Sequence, residues 1–321
     1  LARRHTPYVR RRCPVTLLHR LWMYQRERFP LVAYLPMVVV FSGSAAAYSR
    51  QARQAAGFIP WERFVVGAFT ALVFFAWLRI LDEHKDADVD RRYRPELPVP
   101  RGLVSLRELR RVGLVLLGVA LLLNVLVAPR LLWACLAVAA YAALMTREFF
   151  VGEWLRGQPV AYLLSHMLIL PLIDTYTTGL DWLAEGAAPP RALWFFLAVT
   201  YLNGIVIEIG RKIRPPDAER EGVDTYTRIW GVTTAPGIWL ATLAGTAALA
   251  WLAVRHVGGG TGTLVVLMGC AVVAAMPAIH FLRTRSAGAA RAIEAASGVW
   301  TIAMYLLLGA GQWIVRRALG A

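Results

Sequence analysis

The chain has 321 residues, 58% of them hydrophobic and 17% charged, with a formal net charge of +15 and a mean hydropathy of +0.50. Soluble domains carry about 25% charged residues and about half apolar ones, so a water-soluble globular protein is excluded and an integral membrane protein is expected. The positive charge is spread as membrane topology spreads it, which argues for anionic membrane lipids as partners and against nucleic acid.

Residues 1–29 carry eight arginines and the apolar set Leu17, Leu18, Leu21, Trp22 and Phe29. That pattern predicts a basic amphipathic segment lying on the cytoplasmic leaflet. Ser44–Ala47 resembles a signal cleavage site, but the basic region is too long for a secretory leader and the chain goes on being hydrophobic. Residues 30–321 are expected to form one domain. A span needs about 20 mostly apolar residues, and nine segments qualify: 31–49, 63–81, 109–128, 131–147, 159–179, 191–210, 234–254, 262–282 and 296–315. The expected fold is therefore an all-α, polytopic bundle of nine transmembrane helices.

Charge sets the orientation. With the N-terminus inside, the cytoplasmic pieces hold 26 of the 35 Lys and Arg residues and the opposite side holds eight. This is a positive-inside bias, and it predicts a multi-pass protein of the cell membrane with both of its acid-rich loops in the cytoplasm. Cys13, Cys135 and Cys270 have no metal or disulfide spacing and are expected to be small apolar fillers.

The first acid-rich loop follows the second span without a spacer. It places six acids between Asp82 and Glu96. Asp82, Asp86 and Asp90 recur every four residues, so on a helix they share a face. Mg²⁺ is typically held by one or two carboxylates together with substrate phosphates and water. Asp82, Asp86 and Asp90 are candidate ligands, and Arg79, Lys85 and Arg94 are candidate phosphate clamps. A solvated loop is the alternative, but acids at a membrane boundary usually serve function.

The second acid-rich loop follows the sixth span and holds Glu208, Asp217, Glu219, Glu221 and Asp224. Together the two loops contain 11 of the chain's 20 acids. Two clusters, each beside Arg or Lys, suit two metal ions bridging one diphosphate. Glu208, Asp217 and Glu221 are candidate metal ligands here, with Arg211 and Lys212 as phosphate-binding cations. Pro215 and Pro216 break any helix in this loop. The chain's two lysines, Lys85 and Lys212, fall one in each loop.

These motifs resemble those of the UbiA superfamily of intramembrane prenyltransferases. Asp82-x3-Asp86-x3-Asp90, then Arg94-Pro95, Pro98 and Arg101-Gly102, is similar to the family's first signature. Gly222-Val223-Asp224-Thr225 is similar to the end of its second. Asp82 stands where the family usually has Asn. No Asp-x3-Asp precedes Gly222, so either Glu208-x3-Lys212 or Asp217-x3-Glu221 takes that place.

The resemblance implies nine helices around a central cavity capped by cytoplasmic loops. It also implies Mg²⁺-dependent ionisation of a prenyl diphosphate and attack on the cation by an electron-rich small-molecule acceptor, aromatic or other. Arg147 resembles the family's basic diphosphate-binding position in the fourth helix, and a topology anchor is its alternative role. Other expectations remain open beside transfer: cyclisation without an acceptor, transfer of a diphosphate-activated group such as phosphoribosyl to a lipid phosphate, or a non-enzymatic transporter or lipid-binding protein.

Polar residues also occur at membrane depth. His166 and Asp174 are eight apart and would share one face of the fifth helix, either orienting an acceptor or serving structure, with structure favoured. Tyr141, Tyr162, Trp194, Phe195 and Phe196 could shield a carbocation, although packing or interface anchoring is the commoner use of each. Gly258–Gly262 lacks the Gly-Lys-Ser/Thr of a phosphate loop and is expected to be a turn. Glu294 either caps the ninth helix or faces the cavity.

Overall fold

Hydrocarbon offers no partner for a backbone N–H or C=O, so a spanning segment must satisfy both within itself, and helices do so. A computed structural model describes residues 16–219, 224–309 and 311. Among the described residues there is no strand, and nine helices are long and apolar enough to cross a membrane.

In chain order, a short α1 (Leu17–Arg28) precedes the first two spans, α2 (Leu31–Ala52) and α3 (Trp61–Lys85). A seven-residue α4 (Ala87–Tyr93) leads to α5 (Leu106–Val127) and α6 (Leu132–Thr146). After α7 (Gly152–Arg156), the fifth span is made of α8 (Pro159–Met167) and α9 (Ile169–Gly179). The sixth is α10 (Leu193–Arg211), and a short α11 (Tyr226–Trp230) precedes α12 (Thr234–His256), α13 (Thr261–Thr284) and α14 (Ala287–Leu308).

Local chemistry explains the boundaries. Ser105 and Glu108 form a capping box on α5: Ser105 Oγ accepts from Glu108 N at 3.2 Å and Ser105 N donates to Glu108 Oε2 at 2.8 Å, satisfying two orphan donors at once. Pro159 starts α8 at the position where its missing N–H costs nothing. The fifth span divides at Leu168 because Pro171 cannot donate to the carbonyl of Met167 and its ring crowds it. Gly258, at φ +75°, makes the expected turn between α12 and α13.

The ninth span differs from expectation. Its helix begins at Ala287, nine residues before the expected start, with Ser286 Oγ accepting from Ala289 N at 3.2 Å. The first turns carry Arg291 and Glu294, which lower their hydropathy, yet Ala289, Ala290 and Ile293 are buried. The expected end at 315 lies outside the described residues, as do residues 1–15.

Each spanning helix packs on the next, and α14 closes the ring against α2. Small residues permit close approach: a Cβ on Gly210 of α10 would collide with Ser297 Oγ of α14. Several buried polar groups are paired across helices. Tyr305 Oη donates to Asp174 at 2.6 Å, Asn124 bridges Thr70 and Tyr176, and Trp239 Nε1 donates to Val206 O and Ser297 Oγ, both at 3.0 Å. Asp174 thus joins α9 to α14, the structural role favoured for it. At one end of the bundle Arg50, Arg53 and Arg63 gather around Asp181 and Glu185. The acid-rich loops lie at the other end.

Candidate functional site

Asp82, Asp86 and Asp90 sit on a nearly continuous helical path. α3 ends at Lys85, Asp86 caps it, and α4 follows, but Asp86 N, Asp90 N and Arg94 N each bond the carbonyl four residues back at 2.8–2.9 Å. The four-residue stacking expected from spacing therefore survives the joint.

The three acids differ in surroundings. Asp82 and Asp86 are exposed and form no ion pair among the described residues. Asp90 is 3% exposed and meets Arg94 at 3.4 Å. Burial pushes the Asp90 carboxyl above the usual aspartate range, against the lowering effect of Arg94. Glu83, on the other side of α3, is buried and clamped by Arg28 at 2.6 Å and Arg79 at 3.3 Å.

Lys85 reaches from the end of α3 into a small cavity shared with Asp82, Met145, Thr146 and His166. Its ammonium meets Glu148 at 3.1 Å, Tyr162 Oη at 2.7 Å and His166 Nε2 at 3.4 Å. An ammonium donates only, so His166 Nε2 accepts and its Nδ1–H is directed at Tyr162 O, 2.9 Å away. The imidazole also stacks on the Tyr162 ring at 3.8 Å. Glu148 belongs to a turn in which Glu148, Phe149 and Phe150 all have positive φ (47°, 55° and 62°). Three consecutive non-glycine residues in the left-handed region are costly, and such strain clusters at functional sites.

The second loop meets the first through α10. Arg211 lies within electrostatic reach of Asp82. Glu208 is buried and paired with Arg211 at 2.5 Å and Lys212 at 3.0 Å. Asp217 is exposed on a single turn, Pro216–Ala218, and Glu221 lies outside the described residues together with residues 220, 222 and 223. Glu219 instead latches the loop, accepting from Thr225 Oγ1 at 2.5 Å and Thr227 Oγ1 at 2.9 Å. Arg214 pairs with Glu294 at 3.2 Å, which ties the loop to α14 and answers what Glu294 does.

Of the expected phosphate-binding cations, Arg79, Lys85, Arg94, Arg211 and Lys212 are each already paired with an acid. Arg147 is exposed at the end of α6. Glu148 was missed in the sequence, although an acid directly after a span and beside Arg147 is a signal of the same kind as Asp82. His166 and Asp174 fall on either side of the joint at Leu168, in α8 and α9, and have different partners. His166 joins the site, while Asp174 packs deep in the bundle. Among the aromatics, Tyr162 belongs to the site, Phe196 stacks on Tyr48 at 4.8 Å in the core, and Trp194 is exposed.

Among the described residues no three His, Cys, Asp or Glu side chains converge into a preformed metal cage. The donor set still fits Mg²⁺, which takes oxygen ligands and needs only one or two carboxylates beside phosphate and water. Asp82 and Asp86 supply two carboxylates without an opposing cation of their own.

A model of the UbiA prenyltransferase family matches residues 30–314. Digeranylgeranylglyceryl phosphate synthase of Methanopyrus kandleri is 29% identical over 194 residues, which is 56% of this chain and 64% of that protein. The match thus spans less than two thirds of that relative. A solved structure of a digeranylgeranylglyceryl phosphate synthase superposes with a TM-score of 0.64 at 14% identity, covering 92% of this chain and 99% of the other. A UbiA homologue from Archaeoglobus fulgidus, solved with DMAPP and Mg²⁺, superposes with a TM-score of 0.56 at 14% identity, covering 89% and 98%.

Proposed function

Since this chain belongs to the UbiA prenyltransferase family, we propose that it ionises a prenyl diphosphate with Mg²⁺ at the acid-rich end of the bundle and transfers the prenyl group to an acceptor. The observation that carries this reading is the contrast between two unpaired carboxylates, Asp82 and Asp86, and the paired cations beside them. Asp82 and Asp86 would hold Mg²⁺, and Asp90, Glu208 and Asp217 are the remaining described candidates for metal ligation. Mg²⁺ neutralises the charge that grows on a departing diphosphate.

The chain's own residues do the rest. Lys85, Arg211 and Lys212 exchange their carboxylate partners for diphosphate oxygens, which are geometrically equivalent acceptors. Arg79, Arg94 and Arg147 extend the positive rim. The apolar walls of the spans exclude water from the allylic cation, and the Tyr162 ring and hydroxyl hold the Lys85 ammonium beside the diphosphate position. The charge bias supports a cytoplasmic position for this end of the bundle, with the cell membrane as the site of the protein.

The acceptor class to try first is a prenylated glycerol phosphate, the chemistry in the name of the Methanopyrus relative. Purified protein with Mg²⁺ and prenyl diphosphates of graded length is expected to release pyrophosphate. Asp86→Ala is expected to lower the rate by at least about a hundredfold, the effect of losing about 2.7 kcal/mol of transition-state stabilisation. Activity undiminished by EDTA would sink the metal assignment. Mass spectrometry of the products separates transfer from cyclisation.

A further inference from the structure

The paired cations of the site do not all find their acids in the same way. Arg79, Arg94, Arg211 and Lys212 each meet an acid three or four residues away. Lys85 instead meets Glu148, which reaches it at 3.1 Å from the turn between α6 and α7. Both side chains stay partly open, Lys85 at 19% and Glu148 at 18% exposure, so an anion from water can reach the pair. The ammonium shares its small cavity with Asp82.

The backbone that delivers Glu148 is strained. Glu148, Phe149 and Phe150 have φ of 47°, 55° and 62°, a region where the Cβ of an L-residue crowds its own carbonyl. The carboxylate has room because residue 152 is glycine: a Cβ there would lie 2.5 Å from Glu148 Oε2. Phe149 sits edge-on to Tyr141 at 5.5 Å and to His166 at 5.8 Å, while Phe150 is 76% exposed. The ion pair and the Phe149 contacts thus hold closed a turn whose backbone opposes closure.

A carboxylate and a phosphoryl group offer an ammonium the same kind of charged oxygen acceptor. A diphosphate carries more charge than one carboxylate, and the released pyrophosphate is bound by the same groups as the donor was.

We propose that Glu148 is a positioning residue that acts through Lys85. It aims the ammonium into the cavity of the empty enzyme, gives way to the incoming prenyl diphosphate, and returns to compete with pyrophosphate once the prenyl group has left. This role rests on the diphosphate reading of the site and adds to it a displaceable internal anion that promotes product release. The strained turn yields to the stronger anion, and the ion pair recloses it afterwards. Donor and pyrophosphate bind the state in which Lys85 is free, so Glu148 weakens both by one common factor, the population of that state.

The test measures binding of pyrophosphate with Mg²⁺ to full-length protein in detergent by calorimetry, and in parallel KM and kcat for a prenyl diphosphate. Glu148→Gln is expected to tighten pyrophosphate about tenfold, the effect of about 1.4 kcal/mol, and to lower KM by a similar factor without raising kcat. Gly152→Ala keeps the charge but drives a methyl group into the carboxylate, and is expected to act in the same direction. It decides the matter should Glu148→Gln fold poorly. In a Lys85→Met background, Glu148→Gln is expected to have no further effect on pyrophosphate affinity.

Unchanged or weaker pyrophosphate binding in Glu148→Gln would make Glu148 a structural tie alone and overturn the proposal. So would tightening that persists in the Lys85→Met background, because that is charge repulsion at a distance and does not pass through Lys85. Either outcome leaves the diphosphate reading standing when the wild-type protein binds pyrophosphate. A wild-type protein that binds none and turns over no prenyl diphosphate would overturn both.

Discussion

Lys85 has three N–H groups and three partners, in Glu148, Tyr162 and His166. An incoming diphosphate must therefore compete with a carboxylate for it, and the affinity it contributes is a difference between two ion pairs. Lys85→Met is expected to raise KM for the prenyl diphosphate by about tenfold to a hundredfold, as fits loss of one charge-assisted hydrogen bond of about 1.5–3 kcal/mol. Steady-state kinetics checks this, and an unchanged KM would make Lys85 a structural tie to the strained turn at Glu148–Phe150. This residue and its spacing to Asp82 were readable in the chain. Its partners were not, because Glu148 and His166 reach it from segments that are distant in sequence.

Helix contacts carry two further expectations. α1 is fastened over the first loop chiefly by Arg28 on Glu83, whose carboxylate is only 1% exposed. Arg28→Ala leaves that charge with Arg79 alone, and a loss of about 3 kcal/mol is expected, at the low end for breaking a buried pair. Thermal unfolding in detergent measures it, and Arg28→Lys should recover part. Where α10 meets α14, Gly210→Ala would push a methyl group into Ser297 Oγ and crowd Trp239 Nε1. Overpacking of that kind costs about 1–3 kcal/mol. Ser297→Ala in the same chain should relieve it, and a double-mutant cycle showing simple additivity would mean that the two helices do not press together there.

At the scale of the whole molecule the two ends are built differently. The acid-rich end leaves Asp82 and Asp86 open, while the opposite end closes its charges on one another. There, burial alone would raise the Glu185 carboxyl, but Arg53, Arg50 and Arg63 outweigh it and hold it below the usual glutamate range. A group whose pKa is lowered on folding contributes stability above its unfolded value and loses it as pH falls through the folded one. Unfolding temperature is therefore expected to fall as pH is lowered below the ordinary glutamate range, and Glu185→Gln should flatten that part of the profile. The pair is partly exposed, so the amplitude is modest and shrinks with salt.

The number of spans, the all-α class and the first acid-rich motif were determined by the sequence alone. Each rests on local rules: hydrocarbon forces helices, and a four-residue spacing stacks side chains on one face. The start of α14 escaped those rules because Arg291 and Glu294 lower hydropathy where buried alanines still hold the helix in the bundle. The break at Leu168 also separated His166 from Asp174, although Pro171 was there to be read. Only the tertiary structure decided that Glu83 anchors α1, that Glu219 latches its own loop, and that Arg211 of α10 faces Asp82 of α3. Those outcomes depend on which helix ends meet across the ring, and burial and charge pairing between distant segments leave no periodic trace in one chain.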